Sequence, residues 1–330
     1  MTSARPLEPT GGADLDTLQR VTGRIRSGIE KVIEGKPEVA KLALVVLLSE
    51  GHLLIEDVPG VGKTMLSKAL ARSIDCTVRR IQFTPDLLPS DVTGVSVFNQ
   101  DTRQFEFRPG GIFANVVVGD EINRASPKTQ SALLECMEER QVTVDGISYV
   151  LPPPFIVVAT QNPVEMEGTY PLPEAQRDRF MARLSMGYPA AAAEVEMLDR
   201  HAGHDPLSEL DAVTDAEGVR QLIQTARGVY AAPGIKEYVV ALVGATRATP
   251  DLRLGASPRA ALHLLQAAKA SAAMAGRDHV LPDDIRDLVP AVLSHRLIAS
   301  PEALLARRSP DDVLAGLLSH VPVPRSRASA

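Results

Sequence analysis

The chain has 330 residues, with 35 Lys and Arg against 41 Asp and Glu and a net charge of −6. This length accommodates one large domain and a smaller one, while the acidic balance argues against a nucleic-acid groove, which needs concentrated positive charge. Only two cysteines occur, so a disulfide framework is excluded. The longest apolar run, residues 42–48, is too short to cross a bilayer, and no signal-peptide pattern is present. We therefore expect a cytoplasmic protein without membrane insertion.

The N-terminal segment, residues 1–13, is predicted to be a disordered tail because Pro, Gly and Thr dominate it. Apolar residues then recur every three or four positions from Asp14 to Ile33, which predicts an amphipathic helix. After a Gly-Lys-Pro break, a second helix is predicted to end near Ser49. The tail therefore leads into two helices that precede the first strand.

Residues 51–68 read GHLLIEDVPGVGKTMLSK and combine an apolar strand, a short turn and a helix-forming run. This order matches a phosphate-binding loop, in which backbone N–H groups cradle phosphates, a lysine reaches the β- and γ-oxygens and a hydroxyl binds Mg²⁺. The nucleotide-binding candidates are Pro59, Gly60, Val61, Gly62, Lys63, Thr64 and Met65. Asp57 stands where the pattern has its first glycine, and we expect the loop to close because aspartate tolerates turn conformations. An incidental glycine turn is the structural alternative.

A strand is predicted over residues 77–83, and its Arg79-Arg80 pair is interpreted as part of a solvated face. The following segment, about residues 84–112, is irregular and contains two alternating runs that predict a hairpin. We predict that it is an insertion projecting from the sheet.

The apolar strand over residues 114–118 ends in Gly-Asp-Glu. Ligands of parallel sheets bind at the carboxyl ends of the strands, so both carboxylates are expected beside the phosphate loop. Asp120 is then a candidate Mg²⁺ ligand together with Thr64, and Glu121 is a candidate to polarise the attacking water. The structural alternative is an acidic pair that caps the strand end.

Beyond this strand we predict a helix over residues 126–139, a hairpin around Asp145-Gly146 and a buried strand over 155–160. Asn162 follows that strand, where it either orients a water against the γ-phosphate or makes the turn before a proline. Arg177 and Arg179 lie in a short helical turn, and either could neutralise phosphate charge. A surface salt bridge is the commoner role of a lone arginine.

A last strand is predicted over residues 180–187, and only helices are predicted from residue 191 onward. Their predicted positions are about 191–202, 215–230, 234–248, 258–275 and 282–295, with a short helix after Pro310. Arg259 lies in the first turn of the helix that Ser257 and Pro258 begin. His201 and His204 have the spacing of paired metal ligands, but no third ligand is evident. The predicted fold class is α/β, with a doubly wound parallel sheet over residues 14–188 and a smaller all-α domain over 189–330.

Three long segments, GDEINRASPKTQSALLECMEERQVT, VVATQNPVEMEGTYPLPEAQRDRF and GASPRAALHLLQAAKA, resemble the MoxR family of bacterial AAA+ ATPases. The resemblance extends from about residue 18 to residue 297. It implies a P-loop (AAA+) nucleotide-binding domain followed by a helical lid, with ATP and Mg²⁺ as cofactors. The segment 84–112 is similar to the helix-2 insert of the clade that includes magnesium-chelatase ATPase subunits.

The resemblance also implies roles for residues at matching positions. Lys63 and Thr64 look like Walker A, and Asp120 and Glu121 look like Walker B. The implied catalytic set is Glu121, the sensor residues Asn162 and Arg259, and Arg179 as the finger that reaches a neighbouring subunit's nucleotide. Arg177 stands where the family commonly has leucine, so it competes for the finger role. The segment that usually touches adenine matches Val32, Ile33 and Gly35.

The function that the resemblance implies is Mg²⁺-dependent ATP hydrolysis by a homo-oligomer, expected to be a hexameric ring. Such proteins do chaperone-like work on a client protein complex, sometimes inserting a metal or cofactor, and often with a von Willebrand A domain partner. A nucleotide-gated scaffold with negligible hydrolysis and a magnesium-chelatase-like subunit remain alternatives. A nucleic-acid motor is a further alternative, but the sequence contains neither a helix-turn-helix appendage nor a GAFTGA loop. No nucleic-acid partner is expected.

Overall fold

The structure, a computed structural model, describes residues 12–33, 35–58, 60–162, 168–188, 194 and 206–324. The chain divides into two compact units, one of residues 24–220 and one that joins residues 1–23 to residues 221–330. Most of the predicted tail lies outside the described residues, and the first helix, α1 (Gly12–Val32), begins within its last two positions.

The larger unit is built on one parallel sheet. In chain order the strands of this unit are β1 (Leu53–Glu56), β2 (Val78–Gln82), β3 (Gly94–Asn99), β4 (Gln104–Pro109), β5 (Val116–Asp120), β6 (Gln141–Val144), β7 (Ile147–Val150), β8 (Ile156–Gln161) and β9 (Ala182–Leu184). Five of them pair in parallel in the order β2-β5-β8-β1-β9. The strands β1, β5 and β8 are almost fully buried, as expected where both faces of a parallel sheet are covered. The predicted α/β class with a parallel sheet is confirmed.

The helices of this unit connect the strands, and one of them begins at the edge of the sheet where ligands bind. They are α2 (Pro37–Leu48), α3 (Lys63–Ser73), α4 (Pro89–Thr93), α5 (Pro127–Glu139) and α6 (Glu174–Arg177). The connection from β1 runs past β8 and β5 to reach β2, whereas the connection from β8 runs past β1 to reach β9, so the two go in opposite directions. A crevice opens at such a switch point, and α3 begins directly at it.

Two hairpins lie outside the main sheet, as the alternating runs predict. β3 pairs with β4 inside the predicted insertion, and β6 pairs with β7 around Asp145 and Gly146. Both of these turn residues have positive φ, 51° and 78°, which is the conformation that a tight hairpin turn requires. The hairpins touch each other through the stacked rings of Phe107 and Tyr149, 3.9 Å apart.

The larger unit extends to residue 220, past the boundary predicted near residue 188. The reason is a set of hydrogen bonds that hold the later segment onto α3. Arg72 donates from Nε to the Leu210 carbonyl oxygen at 2.6 Å and from Nη2 to the Ser208 carbonyl oxygen at 2.8 Å. The N–H of Val213 donates to the carbonyl oxygen of Ser73. The sequence shows where the alternation of strands and helices ends, but it does not show that residues 208–213 pack back against α3.

The second unit is helical. Its elements, taken with the helix that leads into it, are α7 (Ala216–Gly228), α8 (Pro233–Ala248), α9 (Pro258–Met274), α10 (Pro282–Leu293), α11 (Pro301–Leu305) and α12 (Pro310–His320). One short antiparallel pair, β10 (Leu252–Leu254) with β11 (Ile298–Ala299), was not predicted, because strands of two or three residues show no period-two alternation. The helix predicted at 191–202 falls almost entirely outside the described residues, and so do His201 and His204. None of the described helices is long and apolar enough to cross a membrane.

Candidate functional site

A cleft of about 240 Å³ lies at the carboxyl ends of the sheet strands. It brings together most of the predicted nucleotide residues of the larger unit: Gly60, Gly62, Lys63, Thr64, Met65, Asp120, Glu121 and Asn162. Three residues that were not predicted to belong to a site, Arg80, Gln82 and Thr160, complete its lining. The sheet therefore gathers residues from four separate strand ends at one place.

The loop between β1 and α3 has the backbone that a phosphate cradle requires. Gly60 and Gly62 have φ of 86° and 91°, a conformation that costs other residues more than glycine. Gly62 is the N-cap of α3, where unpaired N–H groups and the helix dipole favour an anion. Val61 is half-buried in this loop, and Pro59 lies outside the described residues.

Lys63 begins α3 and reaches back over the loop. Its Nζ donates a 2.7 Å hydrogen bond to the carbonyl oxygen of Asp57. Burial lowers the pKa of Lys63, while the negative charges of Asp57, Asp120 and Glu121 act in the opposite direction. The ammonium group of Lys63 therefore lies in the cleft, close to these three carboxylates.

Asp57, which replaces the first glycine of the motif, anchors the loop through its side chain. Oδ2 accepts from the N–H of Gly187 at 2.6 Å and from the hydroxyl of Ser185 at 3.1 Å, and Oδ1 accepts from the N–H of Val58 at 2.9 Å. Burial by itself would raise the pKa of Asp57, but these hydrogen bonds outweigh burial and lower it. The carboxylate of Asp57 therefore ties the start of the loop to the segment that follows β9.

Asp120 is held by both of its carboxylate oxygens at the end of β5. Thr160 Oγ1 donates to Oδ1 at 3.2 Å. Oδ2 lies 3.4 Å from the hydroxyl of Thr64 and 2.5 Å from Nε of Arg80. Hydroxyl and carboxylate oxygens are the ligands that Mg²⁺ prefers, so Thr64 and Asp120 have the donor chemistry that the predicted Mg²⁺ site requires.

Glu121 turns towards the cleft because its backbone is left-handed, with φ 57° and ψ 49°. Its N–H donates to Thr160 Oγ1 at 3.0 Å, which fixes this conformation. Its Oε2 accepts from Gln82 Nε2 and from Arg124 Nη1, both at 3.0 Å. A left-handed non-glycine residue costs about 1 kcal/mol or more, and here that strain directs a carboxylate into the site.

Asn162 is buried in the wall of the cleft, directly after β8. Its carbonyl oxygen accepts a long, 3.5 Å hydrogen bond from Asn123 Nδ2. This position beside Thr160 and Glu121 agrees with the water-orienting role, although the turn-making role is also compatible with it.

Neither Arg177 nor Arg179 is among the described residues that line the cleft. Arg179 Nη2 forms a 3.2 Å ion pair with Glu138 Oε2 on α5. Arg177 is half-buried, with its Nε enclosed and without a hydrogen-bond partner among the described atoms. Arg259 lies in the first turn of α9, in the other unit, where Ser257 caps the helix. The competition between Arg177 and Arg179 for a finger role therefore stays open.

The segment predicted to touch adenine lies at the end of α1. Val32 is half-buried, Ile33 is buried and Gly35 has a φ of 71°. The next residue, Lys36, donates from Nζ to the carbonyl oxygens of Met186 and Tyr188. The same short segment donates hydrogen bonds to the Asp57 carboxylate from Ser185 and Gly187, so Lys36 and the phosphate loop are both held to one stretch of chain.

Sequence reasoning missed Arg80, Gln82 and Thr160 as site residues. The Arg79-Arg80 pair was interpreted as part of a solvated face. In the structure Arg80 lines the cleft and Arg79 does not. Arg80 and Gln82 alternate along β2, and Gln82 pairs in register with Asp120. A signal was present, namely polar residues two apart at a strand's carboxyl end, but its meaning depends on β2 lying beside β5.

Comparison with known proteins identifies the family. A model of the ATPase family associated with various cellular activities (AAA) matches residues 52–182, and a model of the AAA lid domain matches residues 244–316. Chaperone MoxR1 of Mycobacterium tuberculosis (strain ATCC 25618 / H37Rv) is 40% identical over 334 residues, covering 97% of this chain and 87% of that protein. The chain belongs to the MoxR family of AAA+ ATPases.

Two further proteins are similar to this chain over almost its whole length. The protein YeaC of Bacillus subtilis (strain 168) is 50% identical over 314 residues, covering 95% of this chain and 98% of that protein. A crystal structure of a candidate ATPase from Cytophaga hutchinsonii superposes with a TM-score of 0.88 at 37% identity, covering 95% of this chain and 98% of that one. The predicted MoxR resemblance and the AAA+ fold with a helical lid are therefore confirmed.

Proposed function

We propose that this MoxR-family protein hydrolyses ATP with Mg²⁺ and uses the energy to remodel or mature a client protein complex. The observation that carries the proposal is the arrangement around Asp120. Its Oδ2 faces the Thr64 hydroxyl at 3.4 Å, and Glu121 follows it in a conformation that directs its carboxylate into the cleft. A nucleotide site that only binds has no need of this second, strained carboxylate.

The residues of the cleft fit a triphosphate and a divalent ion. The N–H groups at the start of α3 and the ammonium of Lys63 would bind the phosphates. Thr64 and Asp120 would hold Mg²⁺, which when bound neutralises phosphate charge. Glu121 would accept a proton from the attacking water, and Asn162 would orient that water. In this structure Glu121 is bonded to Gln82 and Arg124, so these contacts must loosen before it can act.

The proposal includes an oligomer, with a hexameric ring as the expected form. Neither Arg177 nor Arg179 lines the cleft of its own chain, which supports a role at a neighbouring subunit's nucleotide, with Arg179 as the first choice. Arg259 of the lid would act as sensor 2 and would help to offset the charge of the γ-phosphate. The relative named Chaperone MoxR1 supports a client protein as the substrate of remodelling, and a von Willebrand A domain protein is the partner class we propose.

The test is the ATP hydrolysis rate as a function of protein concentration, with Lys63→Ala as the blank. We expect specific activity to rise with concentration, because subunits would complete one another's sites. Arg179→Ala should be inactive alone and regain activity when mixed with Lys63→Ala. Concentration-independent turnover, or no recovery in the mixture, would refute the shared site.

Replacing Glu121 with Gln keeps the size of the side chain and removes its basicity. We expect turnover to fall by about a hundredfold or more, while the nucleotide dissociation constant changes little. Steady-state hydrolysis and equilibrium binding of a fluorescent ADP analogue measure the two quantities. Retained turnover would show that Glu121 is not the base.

A second candidate function, a nucleotide-gated scaffold with negligible hydrolysis of its own, is favoured by one observation. Both carboxylates of the site already carry arginine partners from the same chain, Arg80 on Asp120 and Arg124 on Glu121. Such pairing would keep basal hydrolysis low. Assembly that responds to nucleotide in a protein whose turnover stays at the Lys63→Ala blank would support this candidate over the first.

A further inference from the structure

Arg80 occupies the open side of the Asp120 carboxylate. Its Nε lies 2.5 Å from Oδ2, the same oxygen that faces the Thr64 hydroxyl, whereas Oδ1 is turned towards Thr160. The Asp120 side chain is 8% exposed and the Arg80 side chain is 56% exposed. The arginine therefore reaches in from solvent to a carboxylate that is itself almost completely enclosed.

The strand geometry explains why Arg80 and not its neighbour reaches this carboxylate. Arg80 and Gln82 point to one side of β2, and Arg79 and Ile81 point to the other, because side chains alternate along a strand. The parallel register places Gln82 opposite Asp120. Arg80 Nη2 also donates to Gln82 Oε1 at 2.9 Å, which orients the guanidinium plane towards the end of β5.

We propose that Arg80 is a built-in counter-ion of Asp120 that competes with Mg²⁺ for Oδ2 and thereby sets the Mg²⁺ concentration at which nucleotide is held. This inference rests on the proposed Mg²⁺–nucleotide site. A guanidinium and a divalent cation on one carboxylate oxygen repel each other strongly at such short range. Loading the site therefore requires Arg80 to leave Oδ2, and its half-exposed side chain can move into solvent.

The size of the effect follows from the exposure of the pair. A partly exposed ion pair contributes little to stability. A ligand that binds only when the pair is open has its affinity multiplied by the fraction of molecules in which the pair is open. Removing Arg80 should therefore lower the half-saturating Mg²⁺ concentration by about two- to tenfold. Affinity for nucleotide without Mg²⁺ should not rise in the Arg80 variants, because removing a cation from the cleft does not favour an anionic phosphate when no Mg²⁺ takes its place.

The experiment titrates MgCl₂ into the full-length protein with N-methylanthraniloyl-ADP and follows the fluorescence of the bound nucleotide. The variants are Arg80→Ala and Arg80→Gln, of which the second retains hydrogen bonding without charge. Arg79→Ala is the matched control, since it removes the same charge from the adjacent position on the other side of β2. Parallel titrations in EDTA give the Mg²⁺-free affinity, and circular dichroism checks folding.

We expect both Arg80 variants to need less Mg²⁺ and Arg79→Ala to follow the wild type. An unchanged or higher Mg²⁺ requirement in the Arg80 variants would overturn the counter-ion role, and the second result would make Arg80 a nucleotide-holding group. An equal shift in Arg79→Ala would also overturn it, because net charge alone would explain the effect. Absence of any nucleotide binding by the wild type would refute the proposed function itself, which is a different result from all of these.

Discussion

Lowering the pH from 7 to 5 is expected to destabilise the larger unit through one buried histidine, His52. This residue immediately precedes β1 and is 5% exposed. Its Nδ1 accepts a hydrogen bond from the N–H of Val157 at 3.0 Å, and its Nε2 lies 3.0 Å from the carbonyl oxygen of Met137. The first contact requires an unprotonated Nδ1 and the second a protonated Nε2, so the ring is neutral in the folded state.

Burial is the main cause that lowers the pKa of His52 from 6.5 to about 4; the Met137 hydrogen bond opposes it, and the charge of Arg140 adds to it. Between these two pH values the unfolded chain binds a proton that the folded chain does not, so stability is present above pH 6.5 and is lost as the pH falls towards 4. One pKa unit corresponds to about 1.4 kcal/mol, which gives a loss of about 2 kcal/mol at pH 5 and about 3 kcal/mol at pH 4.

The assay is urea denaturation at pH 7 and pH 5, followed by circular dichroism because the chain has no tryptophan. His52→Gln removes the titrating ring while keeping an amide that can donate to Met137. Groups that titrate in both proteins cancel in the comparison, so the wild type should lose about 2 kcal/mol more than His52→Gln over this interval. His320→Gln, at an exposed histidine, should behave as the wild type. Equal losses in the wild type and His52→Gln would refute the reasoning.

Two further predictions concern the cleft. Thr160→Val removes the hydroxyl that bridges Asp120 and the N–H of Glu121. We expect kcat, measured by steady-state kinetics, to fall by about tenfold or more with the fold intact. An unchanged kcat would show that the bridge does not position the carboxylates. Gly62→Ala places a Cβ on a residue with φ 91°, and calorimetric unfolding should show a loss of about 1 kcal/mol together with weaker ADP binding. Full ADP affinity in this variant would argue against a phosphate cradle at Gly62.

The contact between Thr64 and Asp120 could be predicted from the sequence. A phosphate-loop motif fixes the start of α3, and an apolar run that ends in Asp-Glu fixes the end of a buried strand. Parallel strands place both at one edge of the sheet. Neither prediction needed the order of the strands, because each residue is at the end of its own element.

Arg80, Thr160 and His52 could not be predicted in the same way. Arg80 matters because β2 lies beside β5, and His52 because the end of α5 and strand β8 both face it. These contacts join positions far apart in the sequence, where no local periodicity reports on them. The strand pair of β10 and β11 was missed for both kinds of reason, since its strands are too short to show alternation and lie some forty-five residues apart.

Asp57 has a consequence for protein engineering. Changing an unusual residue back to the one most common in its motif is ordinarily a route to a more stable protein. At Asp57 that rule should be inverted, because glycine would delete the acceptor of the Ser185 and Gly187 hydrogen bonds and leave the loop more conformational freedom in the unfolded chain. We expect Asp57→Gly to lower the melting temperature in calorimetry, and a gain would contradict this. The residue that departs from the motif therefore stabilises the loop, and a design that follows the consensus alone would remove its hydrogen bonds.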